Sequence, residues 1–166
     1  LPQDAYTGMS GLSDSMTPGN LSQLILSDAI AFRVEFQGEL PRRRWLYWRG
    51  PVLWDFDGRT WRLGTPAFAE FEPPERGAAT FTYSVLIEPH NRNWLFALET
   101  AASLPPQARF LDDGQIVSTA PLRSRMRYEV TSITDAVPVA EEAPHNLRRA
   151  LRLPAGFNPR ALALAQ

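Results

Sequence analysis

Ile30, Phe32, Val34 and Phe36 alternate with Ala31, Arg33, Glu35 and Gln37. A period of two places the first set on one side of an extended strand and the second on the other, whereas an α-helix would scatter both sets around its axis. The rhythm returns in Thr80 to Glu88, with Phe81, Tyr83, Val85 and Ile87 on one face. It returns again in Arg125 to Ile133, where Met126, Tyr128 and Val130 stand opposite Arg127, Glu129 and Thr131. Strands that are apolar on one face and polar on the other belong to antiparallel sheets with one dry side.

Turn signals fall between these runs. Asp57-Gly58 predicts a hairpin joining Val52 to Phe56 with Thr60 to Leu63, and Asp113-Gly114 predicts another between Arg109 to Leu111 and Gln115 to Val117. Trp54, Phe56 and Trp61 are expected in the core under the first hairpin. A shorter strand is predicted at Trp94 to Leu98, and Thr65 to Ala78, with Pro66, Pro73 and Pro74, reads as a connection. The predicted fold class is therefore mainly β, an antiparallel sandwich or barrel of about seven to nine short strands. Residues 1–27, rich in Gly, Ser and Thr, predict an irregular arm; residues 28–138 form the β-domain; residues 139–166 predict a linker and a helix. Ala143 to Arg152 suits one or two helical turns, and Asn158-Pro159 supplies an N-cap and a first-turn proline for a second helix. With no initiator Met and no cap at the far end, the expectation is a piece of a longer chain.

The chain of 166 residues contains no cysteine, which leaves no thiol nucleophile, thiolate ligand or disulfide in it. Its 17 basic residues are all arginine and nearly balance 18 acidic ones, for a net charge of −1, so no nucleic-acid partner is expected. No run of 18 apolar residues is present. His90 and His145 lack metal-ligand spacing, and no metal or cofactor is expected. Asp55 and Asp57, two apart on a strand, resemble an acid–base pair in spacing, but Asp57 suits the turn and Asp55 a wet face. Asp112 and Asp113, ahead of Gly114, carry the same turn reading. Ser10, Ser13 and Ser15 lie outside any nucleophile-elbow pattern.

One region has two functional readings. Four tryptophans fall within the nineteen residues from Trp45 to Leu63, directly after Arg42-Arg43-Arg44. If Trp45 and Tyr47 share a strand face, with Leu46 and Trp48 on the other, one pair meets a neighbouring domain or a sugar ring. Arg44, Trp45 and Tyr47 are the candidate contact residues, either interdomain or toward cell-wall glycan.

The run Tyr47-Trp48-Arg49-Gly50-Pro51-Val52-Leu53-Trp54-Asp55-Phe56-Asp57-Gly58-Arg59-Thr60-Trp61 resembles the membrane-proximal region of TgpA-type bacterial transglutaminase-like proteins. The arm from Thr7 to Gly19 resembles the same family's segment just after its membrane helices. The resemblance implies a periplasmic β-domain at the inner membrane, preceded by membrane helices and followed by a papain-like core with a Cys-His-Asp triad. It makes residues 139–166 the linker and first helix of that core, and makes the downstream core the domain's partner, with cell-wall glycan or periplasmic proteins as further partners. No catalytic residue of the triad can be placed on this sequence. The expected role is non-catalytic: linking membrane anchor to core and shaping access to it, with glycan binding as the alternative.

Overall fold

A computed structural model describes residues 13–19, 29–136, 144–157 and 159–164. Most of the expected arm, and residues 139–143 of the expected linker, therefore lie outside the described residues. Thirteen strands run through what is described: β1 (Ser15–Met16), β2 (Phe32–Phe36), β3 (Trp48–Arg49), β4 (Leu53–Phe56), β5 (Trp61–Leu63), β6 (Phe68–Ala69), β7 (Ala79–Ile87), β8 (Trp94–Leu95), β9 (Ala97–Leu98), β10 (Thr100–Ala101), β11 (Ala108–Leu111), β12 (Ile116–Ser118) and β13 (Met126–Thr134). A 3-10 turn at Arg43–Trp45 and two short helices, α1 (Pro144–Ala150) and α2 (Pro159–Leu164), complete the described elements. Every strand pair is antiparallel. The strands form four sheets, none of them a closed barrel: β1-β5-β4, β10-β13-β7-β2, β6-β11-β12-β8 and β3-β9.

The three alternating runs of the sequence become β2, β7 and β13 of one sheet. Their register aligns Phe32 with Ile87, Val34 with Val85 and Phe36 with Tyr83. On the other side of β7, Tyr128 meets Val85 and Val130 meets Tyr83. Directly opposed residues point to the same face, so all the apolar residues converge on one side. There Tyr83, Val85, Ile87, Tyr128 and Val130 are buried against Leu95, Phe96, Leu98 and Ile116. The wet face of the edge strand β2 carries charge, with Arg33 held by Glu88 at 3.0 Å, which discourages pairing with another chain.

The strand count exceeds the predicted number because β1, β6 and β10 lie where no strand was expected, β6 within the Thr65 to Ala78 connection, and because the single strand expected at Trp94 to Leu98 is divided into β8 and β9. β8 pairs with β12, β9 with β3, and β10 with β13. The backbone of Phe96, between β8 and β9, has no ladder to join. Its N–H donates to Tyr128 Oη at 2.9 Å, and the same hydroxyl donates to its carbonyl at 3.0 Å. Tyr83 Oη accepts the Leu98 N–H at 2.6 Å and contacts Ser132 Oγ at 2.8 Å. Burial pushes the phenol pKa of Tyr83 up to about 12 and that of Tyr128 up as well, so both hydroxyls keep their protons for this bonding.

Trp54, Phe56 and Trp61, expected in the core, are only half-buried and lie outside the main cluster. The step from Leu53 to Asp55 on β4 faces the single step from Leu63 to Arg62 on β5, a bulge that disturbs the alternation at Trp54. Phe56 and Trp61 stack on each other with centroids 4.7 Å apart, and Trp54 Nε1 donates to Asp113 Oδ2 at 3.0 Å. They form a satellite layer on a separate sheet.

Candidate interdomain site

Trp45 closes the 3-10 turn, and regular strand begins only at Trp48. Trp45 and Tyr47 therefore do not stand side by side on a strand. The Trp45 ring is half-buried, lying 6.0 Å from the Phe81 ring, with its Nε1 donating to Asp135 Oδ2 at 2.9 Å. The guanidinium carbons of Arg44 and Arg42 lie over it at 4.8 and 5.6 Å. Part of its π surface is thereby engaged within the chain. Tyr47 is 61% exposed, and Arg44 is exposed beside it. Trp48 points inward, its ring 5.3 Å from Phe32 and 5.4 Å from Tyr83.

A second constellation is assembled from distant segments. His145 and Arg149, four residues apart and so on one face of α1, meet two carboxylates of the β-domain. Arg149 makes a two-pronged pair with Asp55 on β4, its Nε donating to Oδ1 at 2.6 Å and its Nη2 to Oδ2. His145 Nε2 lies 3.2 Å from Asp112 Oδ2 in the β11–β12 turn. Asp112 is itself fixed, its Oδ1 accepting the Ala67 N–H at 3.1 Å. Neighbouring Asp113 is buried, where its carboxylate accepts from Trp54 and from the Gln115 backbone and side chain. One turn thus grips the β4–β5 hairpin from one side and α1 from the other.

Two glycines allow this close approach. A Cβ at Gly64 would come within 2.5 Å of the Arg149 guanidinium, and one at Gly58 within 2.5 Å of the Phe157 ring. Gly58 also needs its φ of +100°, which side chains resist, at the tip of a turn closed by the Asp57 N–H to the Thr60 carbonyl at 3.2 Å. Asp57 Oδ1 accepts the N–H groups of Arg59 and Thr60 at 3.0 and 2.7 Å, and these bonds lower its pKa. The Arg149 hydrogen bonds lower that of Asp55. The two carboxylates are thus engaged separately, Asp57 within its own turn and Asp55 by Arg149.

The family model for the TgpA N-terminal domain matches residues 1–138. The chain belongs to the TgpA family. It is 37% identical over 167 residues to a protein-glutamine γ-glutamyltransferase of Pseudomonas aeruginosa, covering 99% of this chain and 25% of that protein. The crystal structure of the periplasmic domain of TgpA from that organism superposes with a TM-score of 0.85 at 36% identity, over 93% of this chain and 54% of the other. A second crystal structure of that domain, bound to ethylmercury, gives the same TM-score at 38% identity. This TgpA domain thus spans a quarter of the curated relative's length and just over half of the solved periplasmic chain.

The remaining histidine of this TgpA domain is a packing residue. His90 Nε2 donates to the Trp94 carbonyl at 3.1 Å and its Nδ1 accepts the Arg92 N–H at 3.2 Å, a pattern only the neutral ring satisfies. Desolvation lowers its pKa accordingly. No helix among the described residues is long and apolar enough to cross a membrane, and no cluster of metal-ligating side chains occurs among them. Sequence reasoning placed Asp55 on a wet face but missed its partner, because Arg149 lies 94 residues away.

Acid is expected to release α1. The lowered Asp55 pKa means that its contribution is fully present above the unfolded value of 3.8 and is lost as pH falls through the lower folded value. The Arg149 Nε–H shift, which reports the pair directly, should move below about pH 4. The transition should vanish in Asp55→Asn; an Asp55-dependent transition centred well above that range would contradict the pairing.

Proposed function

We propose that this domain is a non-catalytic spacer that holds a downstream transglutaminase-like core in a set orientation at the periplasmic face of the bacterial inner membrane. The observation that carries it is the Arg149–Asp55 clamp, because α1 lies on the segment that follows the family-matched residues 1–138. A tethered core on a loose linker would sample many orientations; a linker helix bound to the hairpin restricts them. The absence of cysteine supports a domain without thiol chemistry of its own. Exposed Arg44 and Tyr47, beside half-buried Trp45, are in this reading a second contact surface toward the core.

The test uses the longer protein that carries the domain. Arg149→Asp should broaden the distance distribution between spin labels on the β-domain and on the core, and should lower acyl transfer from protein glutamine to an amine. The domain's own melting should shift by only about 1 kcal/mol, since the pair is solvent-exposed. The swap Arg149→Asp with Asp55→Arg should restore both readouts. An unchanged distance distribution in the single variant would reject the spacer reading.

A further inference from the structure

Beside the hairpin that α1 grips, the sheet β6-β11-β12-β8 bears a trough of about 590 Å³. Arg109 on β11 stands opposite Val117 on β12, and Val117 opposite Trp94 on β8, so the three form one row across the sheet. Trp94, Leu111 and Val117 make the floor, Leu63 a wall, and Arg92 and Arg109 lie along the rim. The floor offers no open ring for a sugar: Trp94 is 7% exposed, covered by His90 with centroids at 5.8 Å and by the Arg92 guanidinium at 5.8 Å. The lining amides of Gln115 and Asn93 are engaged inside the chain, on the Asp113 carboxylate and the Ser118 carbonyl. Apart from the hydroxyls of Ser118 and Thr119, that leaves apolar surface and guanidinium charge as the recognition chemistry.

The rim already shows what it takes. Arg92 Nη2 holds the carboxylate of Asp14, in the bend just before β1, at 2.8 Å. Arg109 pairs with no carboxylate among the described residues and only covers the exposed Phe68 ring, at 5.9 Å. Arg109 and Trp94 stand two strands apart, roughly 10 Å, about the reach of three extended residues. We propose that this trough binds an extended acidic polypeptide segment, its apolar side chains on the floor and a carboxylate on Arg109. The geometry suits residues of alternating character, since successive side chains of an extended ligand point down to the floor and out to the rim.

The probe is an acetylated, amidated hexapeptide of alternating leucine and glutamate, titrated into the 166-residue chain and followed by amide shifts of β11, β12 and β8. Saturable binding is expected, weakened about tenfold by Arg109→Gln, which removes a charge-assisted bond. The variant should melt as the parent does, because Arg109 is exposed and forms no ion pair with the described residues. Binding should also weaken severalfold at high salt. The lysine and glutamine versions of the peptide should bind at least about tenfold more weakly. Equal binding of those peptides, indifference to Arg109→Gln, or no saturation by the glutamate peptide would overturn the proposal. So would tighter binding at the same amides by an oligosaccharide of uronic acid and N-acetylhexosamine, or by vesicles containing phosphatidylglycerol.

Discussion

Trp48→Ala is expected to destabilise the domain by about 3 kcal/mol, toward the lower end of the range for aromatic truncation in a core. Trp48 is half-buried, which keeps the figure from rising further. Its ring nonetheless packs against Phe32, Phe36 and Tyr83, at centroid distances of 5.3, 6.3 and 5.4 Å, where the edge of one sheet meets the next. Removing it strips contacts from three aromatic neighbours at once, and the sheet behind them cannot collapse to fill the space. Trp54→Ala should cost less, because Trp54 belongs to the satellite layer and loses mainly one side-chain hydrogen bond to Asp113. Urea titrations of the two variants order them; a Trp54→Ala midpoint below that of Trp48→Ala would place the core under the wrong sheet.

Tyr128→Phe deletes one oxygen and should still cost about 2–5 kcal/mol. That oxygen serves both the N–H and the carbonyl of Phe96, at 2.9 and 3.0 Å. Without it, two backbone groups lie buried and unpaired beside an apolar ring, and each carries a desolvation penalty of about 1–3 kcal/mol. The ring itself stays, so a packing explanation predicts almost no change. Amide exchange separates the two: in Tyr128→Phe the Phe96 amide should exchange much faster, while that of Leu98, still bonded to Tyr83, and those in the middle of β7 should follow only the global loss of stability. An unchanged midpoint would mean that water reaches Phe96.

The alternating runs were legible because a strand with one dry face writes its burial directly into the sequence with a period of two. Phe32 to Phe36, Phe81 to Ile87 and Met126 to Val130 needed no distant information to be read as strands. The Asp57-Gly58 and Asp113-Gly114 turns were legible for a related reason, since positive φ at Gly58 and Gly114 and the short carboxylate reach of aspartate act within four residues. The family resemblance, carried by Tyr47 to Trp61, was legible as well.

What sequence alone could not decide concerns residues whose partners are remote. Trp94 to Leu98 is uniformly apolar and buried, so no alternation marks where it leaves one sheet for another. That break exists because Tyr128 and Tyr83, 32 and 15 residues away along the chain, supply hydroxyls that replace the missing ladder bonds. Trp54 looked like core by hydrophobicity, but a bulge and a separate sheet left it half-exposed. Asp55 looked like a solvated carboxylate until Arg149 closed on it. Local pattern determined that the chain is an antiparallel β-domain and which faces of its long strands are dry, because backbone geometry alone converts residue spacing into direction. The tertiary structure decided which strands share a sheet, where the tryptophans pack and how α1 is held, because those outcomes depend on contacts between segments that no periodicity connects.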